Sequence, residues 1–136
     1  MTPASLAATH GAAFTQARPW SEAEFAGLLT QRGVILLGDA KSFILGRVIG
    51  DEAEVITLAT HPEFQRQGLA QSTLSDFTSQ MRSLSVASIF LEVSETNTPA
   101  KSLYMNAGFK NVGYRPRYYV GTGGTKTGAD VMRLTF

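Results

Sequence analysis

The chain has 136 residues, enough for one domain around a single apolar core, and its 43% hydrophobic and 17% charged fractions read as soluble and globular. Twelve Lys and Arg against eleven Asp and Glu leave a net charge of +1 without a basic run, so composition gives no reason to expect direct nucleic-acid binding. Cysteine is absent, which excludes disulfides, thiolate metal ligands and a cysteine nucleophile. The opening MTPASLAATHGAAF lacks the charged and apolar regions of an export signal, and no stretch reaches membrane-span length; a cytoplasmic protein is expected.

Residues 3–14 are Ala-rich with few charges and predict a short helix packed on the body. Ser21 is a good N-cap with Glu22 and Glu24 in the first turn, and Phe25, Leu28 and Leu29 give a second helix its buried stripe before Gly33 breaks it. Val34–Leu37 and Ser42–Ile49 are β-rich runs around the turn formers Gly38 to Lys41, and Gly50 to Ala53 make the next turn. The central strand follows from Glu54, with Val55, Ile56 and Leu58 before Pro62 closes it. An antiparallel three-stranded meander is the simplest topology.

The loop Gln65-Arg66-Gln67-Gly68-Leu69-Ala70 turns directly into a helix whose apolar positions, Ala70, Leu74, Phe77, Met81 and Leu84, follow the spacing of one buried face. Backbone N–H groups at such a helix start have no intrahelical acceptor, and they and the dipole favour an anion. Gly68 and Ala70 leave room for close approach. No Gly-Lys-Ser/Thr follows to reach a terminal phosphate, so a pyrophosphate held here is a handle and not a reactant. An ordinary polar strand-to-helix turn is the competing reading of the loop alone.

Val86–Val93 reads as a strand with Ile89, Leu91 and Val93 on one face and Phe90 and Glu92 on the other. Thr98 and Pro99 then read as the N-cap and first position of a short helix, with Gly108 as its C-terminal cap. Phe109–Val120 and Ala129–Phe136 predict a final hairpin around residues 121–128. That Gly-rich loop is read as a mobile connection, since no Gly precedes Lys126 and no helix follows.

Gln65 to Ala70 match the Q/R-x-x-G-x-G/A signature of the GNAT N-acetyltransferases. Leu91-Glu92-Val93, Asn97 and Leu103-Tyr104-Met105-Asn106-Ala107-Gly108-Phe109 follow in order, similar to that family's second motif. Arg115-Pro116-Arg117-Tyr118-Tyr119 and Arg18-Pro19-Trp20-Ser21-Glu22 resemble the branch that acetylates the N-terminal alanine of a small-subunit ribosomal protein. The resemblance, over roughly residues 18–136, implies an α/β GNAT fold: a mixed, mostly antiparallel sheet flanked by helices, here with the first strand short or missing. It also implies acetyl-coenzyme A as co-substrate, with no metal. Leu58, Ala59 and Thr60 would pair with the pantetheine through their main chain, Gln65, Arg66, Gln67, Gly68, Leu69 and Ala70 would take the pyrophosphate, and Asn97 would contact the cofactor.

Acetyl transfer from a thioester to an amine poses two proton problems: an N-terminal ammonium must lose a proton and the departing thiolate must gain one. Glu92 and Tyr104 are the candidates. Strand alternation alone leaves Glu92 either exposed at an edge or placed for chemistry. Tyr104, likewise, is either a core residue with its hydroxyl satisfied at the rim or a proton donor. The resemblance assigns Glu92 as general base and Tyr104 as general acid. The resemblance implies direct transfer without a covalent intermediate, and a chain with no cysteine, no nucleophile elbow and no Ser-His constellation is consistent with it. Tyr118 and Tyr119 match an aromatic pair near the acceptor groove, against the plain reading of two exposed edge tyrosines. His10 and His61 stand far apart without companions at metal spacing and are read as surface or packing residues. His61, like Thr60, departs from the family pattern, and no role is assigned to it.

The expected function is N-alpha-acetylation of a protein, first of all the terminal alanine of a ribosomal protein. The alternatives are an acetyltransferase for a polyamine or aminoglycoside, and a non-catalytic sensor of acyl-coenzyme A.

Overall fold

Two capping boxes start the chain's first helices. In α1 (Pro3–Ala13) Thr2 and Ser5 exchange hydrogen bonds, and in α2 (Glu22–Leu29) Ser21 and Glu24 do the same, each pair satisfying two N–H groups that a helix start leaves open. The structure, a computed structural model, describes residues 1–14, 20–120 and 126–136, with the side chains of residues 117–120 outside that description. Six strands form one sheet: β1 (Val34–Gly38), β2 (Ser42–Ile49), β3 (Glu52–Thr60), β4 (Ser88–Ser94), β5 (Lys110–Val120) and β6 (Lys126–Thr135). Their spatial order is β1-β2-β3-β4-β6-β5, and every neighbouring pair is antiparallel except β3 with β4. A parallel pair needs a long crossover. That crossover is the 15-residue α3 (Leu69–Ser83).

Helices α1 and α2 lie on one face of the sheet, over β1 to β3, and close a cluster of Leu6, Phe25, Phe43, Leu45 and Ala59. His10 is buried at its margin, stacked 5.0 Å from the Trp20 ring, with Nδ1 accepting the Trp20 N–H. It is a packing residue. The opposite face carries α3 and α4 (Thr98–Asn106) over the main core, where Leu74, Phe77 and Met81 of α3 meet Ile44, Val55, Ile89, Leu91 and Val93.

The meander expected over β1 to β3 is present, and its last strand starts at Glu52, two residues before the expected position. In α3 the periodic face ends one turn early. The helix stops at Ser83, and Leu84 is 52% exposed while Thr73 is buried in its place. The N-cap of α4 is Asn97, not Thr98: its carboxamide oxygen accepts the Ala100 N–H at 3.3 Å, and Pro99 becomes the second helical residue. Lys126 to Gly128, expected in the loop, are strand residues of β6, while residues 121–125 lie outside the described part. Among the described residues no strand precedes β1, as the expectation of a short or missing first strand has it.

A bulge in β3 sets the geometry that matters next. Leu45 pairs with Thr57 and Gly46 with Val55, so Ile56 is an extra residue on β3. Bulges of this kind bend the strand that carries them. The parallel pairing of β3 with β4 runs only from Glu52↔Ser88 to Val55↔Leu91, although β3 continues to Thr60 and β4 to Ser94. Past the bulge the two strands part.

Candidate active site

The parting of β3 and β4 opens a gap inside the sheet, and the expected site residues sit around it. Glu92 is the first residue of β4 beyond its last β3 partner. Its neighbours Leu91 and Val93 are buried in the α3/α4 core, so the alternation turns Glu92 to the other face, where its side chain is 24% exposed. It is not a bare edge carboxylate, because Oε1 lies 2.7 Å from Nη1 of Arg115. Tyr104, on α4, is 6% exposed and belongs to the core cluster, with its ring 5.6 Å from Phe109 and edge-on to it. Glu92 and Tyr104 therefore approach β4 from opposite faces of the sheet. A group threaded through the gap would have a carboxylate on one side and a phenol helix on the other.

On the far wall, Leu58, Ala59 and Thr60 form the end of β3 and have lost β4 as a neighbour, which leaves main-chain groups turned to the gap. The side chain of Thr60 points to the α3 face, where its hydroxyl pairs with Ser42 at 2.9 Å and Thr73 extends the chain at 3.2 Å. Gln65 Nε2 donates to the Thr60 carbonyl at 3.2 Å, so this side chain folds the loop back onto the strand and takes one lone pair of an expected pantetheine partner.

From there the chain enters α3 through two left-handed residues, Arg66 at φ 62° and the N-cap Gly68 at φ 78°. For Arg66 that conformation costs on the order of 1 kcal/mol, and such strain collects at ligand sites. Gly68 brings no capping side chain. The first helical bond is donated by Ser72 to the Gly68 carbonyl, and among the described residues no acceptor stands opposite the N–H groups of Arg66 to Gln71. They border a depression of about 250 Å³ lined by Thr60, Gln65, Arg66, Gly68, Ala70 and Leu103. Unpaired amides around a hollow at the positive end of a 15-residue helix suit a diphosphate. A larger depression of about 400 Å³ runs along α2 beside Trp20 and Gln31, and none of the expected site residues lines it.

Asn97 is committed to capping α4 through its oxygen, which leaves its amide nitrogen as the atom for any ligand. The side chains of Tyr118 and Tyr119 lie outside the described residues, as do Arg18 and Pro19. The sequence reading missed Arg115 as a neighbour of Glu92, and the ion pair of Lys101 with Asp130 at 2.7 Å that ties α4 to β6. His61 turns its Nδ1 to accept the Glu63 N–H at 3.2 Å, a local cap on the short 3-10 turn Pro62–Phe64.

Residues 8–109 match the Acetyltransferase (GNAT) family. The chain belongs to the GNAT acetyltransferases. The ribosomal protein bS18-alanine N-acetyltransferase of Escherichia coli (strain K12) is 34% identical over 132 residues, 94% of this chain and 88% of that protein. The crystal structure of the ribosomal-protein-S18-alanine N-acetyltransferase from Escherichia coli superposes with a TM-score of 0.87 at 29% identity, covering 98% of this chain and 86% of that one. Arabidopsis thaliana NAA60 in complex with acetyl-CoA gives 0.83 at 14% identity over 100% of this chain and 96% of that one, a likeness of fold. The chain is thus an acetyl-coenzyme A-dependent N-acetyltransferase with the GNAT fold, and the motif resemblance to the ribosomal-protein-alanine branch extends over most of its length. Among the described residues no helix is long and apolar enough to cross a membrane.

Proposed function

We propose that this GNAT enzyme acetylates the α-amine at the N-terminus of a protein in the cytoplasm, first of all the terminal alanine of a small-subunit ribosomal protein. The observation that carries this reading is the end of β3–β4 pairing at Val55↔Leu91, which leaves Glu92 at the apex of a gap whose other end is the amide-lined start of α3. Arg66 to Ala70 hold the diphosphate, the main chain of Leu58 to Thr60 pairs with the pantetheine arm, Asn97 supports it, and the thioester is delivered beside Glu92. Tyr118 and Tyr119 flank the acceptor. The 34% identity to the bS18-alanine enzyme over nearly the whole chain favours a peptide acceptor over a polyamine or aminoglycoside.

The acceptor arrives as an ammonium. Glu92 attracts it and takes a proton; the neutral amine then attacks the thioester carbon and forms the C–N bond. The tetrahedral intermediate collapses with cleavage of C–S as the Tyr104 hydroxyl protonates the leaving thiolate, and the second proton on the nitrogen is lost to solvent, from which the Tyr104 phenolate recovers its own. Nothing is left attached to the protein. The test is mass spectrometry of a peptide beginning with alanine after incubation with the protein and acetyl-coenzyme A, beside spermidine and an aminoglycoside. Acetylation of the peptide α-amine at the highest kcat/KM is expected. Preference for a free amine would move the acceptor to small molecules, and tight cofactor binding without transfer to any amine would leave a sensor.

A further inference from the structure

The Glu92 carboxylate is gripped from a strand that is not its neighbour. Between β4 and β5 runs β6, in which Val131 pairs with Glu92 on one side and with Gly113 on the other. Directly paired residues of antiparallel strands share a face. Arg115, two residues along β5 and paired with Ala129, is therefore on the Glu92 face and must reach diagonally across β6 to place Nη1 2.7 Å from Oε1. Arg115 is 54% exposed and the pair is open to solvent, a setting in which an ion pair contributes little to folding. What a guanidinium does well there is to fix the rotamer and plane of a carboxylate.

We propose that Arg115 is a positioning residue for this reaction: it fixes the rotamer and plane of the Glu92 carboxylate beside the β3–β4 gap, so that an incoming ammonium meets an oriented carboxylate. The proposal rests on the reading of Glu92 as base and adds a residue that acts through it. In a reaction that needs a near-attack geometry, a base left to sample several rotamers loses turnover more than substrate binding.

The test is a double-mutant cycle on the full chain with acetyl-coenzyme A and whichever amine of the acceptor panel reacts fastest. Arg115→Gln is expected to lower kcat about 10-fold with KM for both substrates changed less than about 2-fold, and Arg115→Lys to recover most of the loss. On a Glu92→Gln background Arg115→Gln should change nothing further. Equal activity of Arg115→Gln and parent would overturn the proposal. So would a loss of the same size in both backgrounds, or one that follows a lowered Tm, since either marks a merely structural arginine. The base reading fails separately, if Glu92→Gln alone matches the parent.

Discussion

An α-ammonium with a pKa near ~8 is about one-tenth neutral at pH 7, and this bounds what a base can add there. Glu92→Gln is accordingly expected to lower kcat/KM roughly 10- to 100-fold at pH 7, with the deficit shrinking as the pH passes ~8 and the acceptor arrives already neutral. Initial rates from about pH 6.5 to about pH 9.5 check this; a deficit that stays constant across the range would mean that Glu92 orients the acceptor without taking its proton. Tyr104→Phe should lower kcat by about 10²-fold and leave cofactor affinity nearly unchanged, because the ring keeps its edge contact with Phe109. At this scale strand alternation was enough to turn Glu92 away from Ile89, Leu91 and Val93. Both readings of Tyr104 are physically compatible, since a ring in the core says nothing against chemistry at its hydroxyl. Arg115 was not legible beside Glu92, because alternation gives the face of a residue and not which strand lies between.

Capping and bulge chemistry decide the two elements that frame the gap. At Gly68 an added Cβ would meet nothing within 4 Å, so space is not the constraint; the left-handed backbone is. Gly68→Ala must either hold φ near 78° at about 1–2 kcal/mol or let the loop relax and re-aim its amides. Calorimetry should show acetyl-coenzyme A binding weakened about 5- to 10-fold, and less so for Gly68→Asn, which tolerates that region. Unchanged binding of Gly68→Ala would detach the diphosphate from this loop. Gly46 lies opposite the β3 bulge, and a Cβ there would overlap the Phe77 ring and approach the Glu54 carbonyl at 2.9 Å. Gly46→Ala should therefore cost about 1–3 kcal/mol in urea unfolding, and a variant as stable as the parent would show that the bulge yields freely. The elements themselves were largely readable from alternation, helical spacing and caps. Boundaries slipped where two signals competed: Asn97 and Thr98 both cap well, Leu84 continues the α3 spacing although the helix ends at Ser83 and Ser85 turns left-handed, and the Gly- and Thr-rich start of β6 is drawn into the sheet by its pairing with β5.

Taken whole, the sheet consists of two antiparallel halves, β1-β2-β3 and β4-β6-β5, joined by only four parallel residue pairs. The insertion of β6 between β4 and β5 cannot be read from local pattern, which gives only the hairpin of the last two strands. Arg133 of β6 crosses that short seam to Glu52 of β3 at 2.9 Å, and within the second half Lys101 of α4 is bound to Asp130 of β6 at 2.7 Å with Asp130 only 8% exposed. The Lys101 hydrogen bond, helped by one from Asn111 and opposed by burial, holds the Asp130 carboxyl below its ordinary value. A carboxyl lowered in the folded state contributes stability above its unfolded pKa, near ~3.9, and that contribution is lost as pH falls through the folded value. Lys101→Met removes the largest lowering influence and leaves burial to act the other way, so Asp130 should take its proton at higher pH and acid unfolding should set in sooner. At pH 7 the same variant leaves a nearly buried carboxylate short of its cation, a loss of about 1–3 kcal/mol. Acid titration of the far-ultraviolet circular dichroism, with urea unfolding at pH 7, checks both. If Lys101→Met shifted neither the acid midpoint nor the neutral stability, the α4–β6 tie would be a surface contact without weight in the fold.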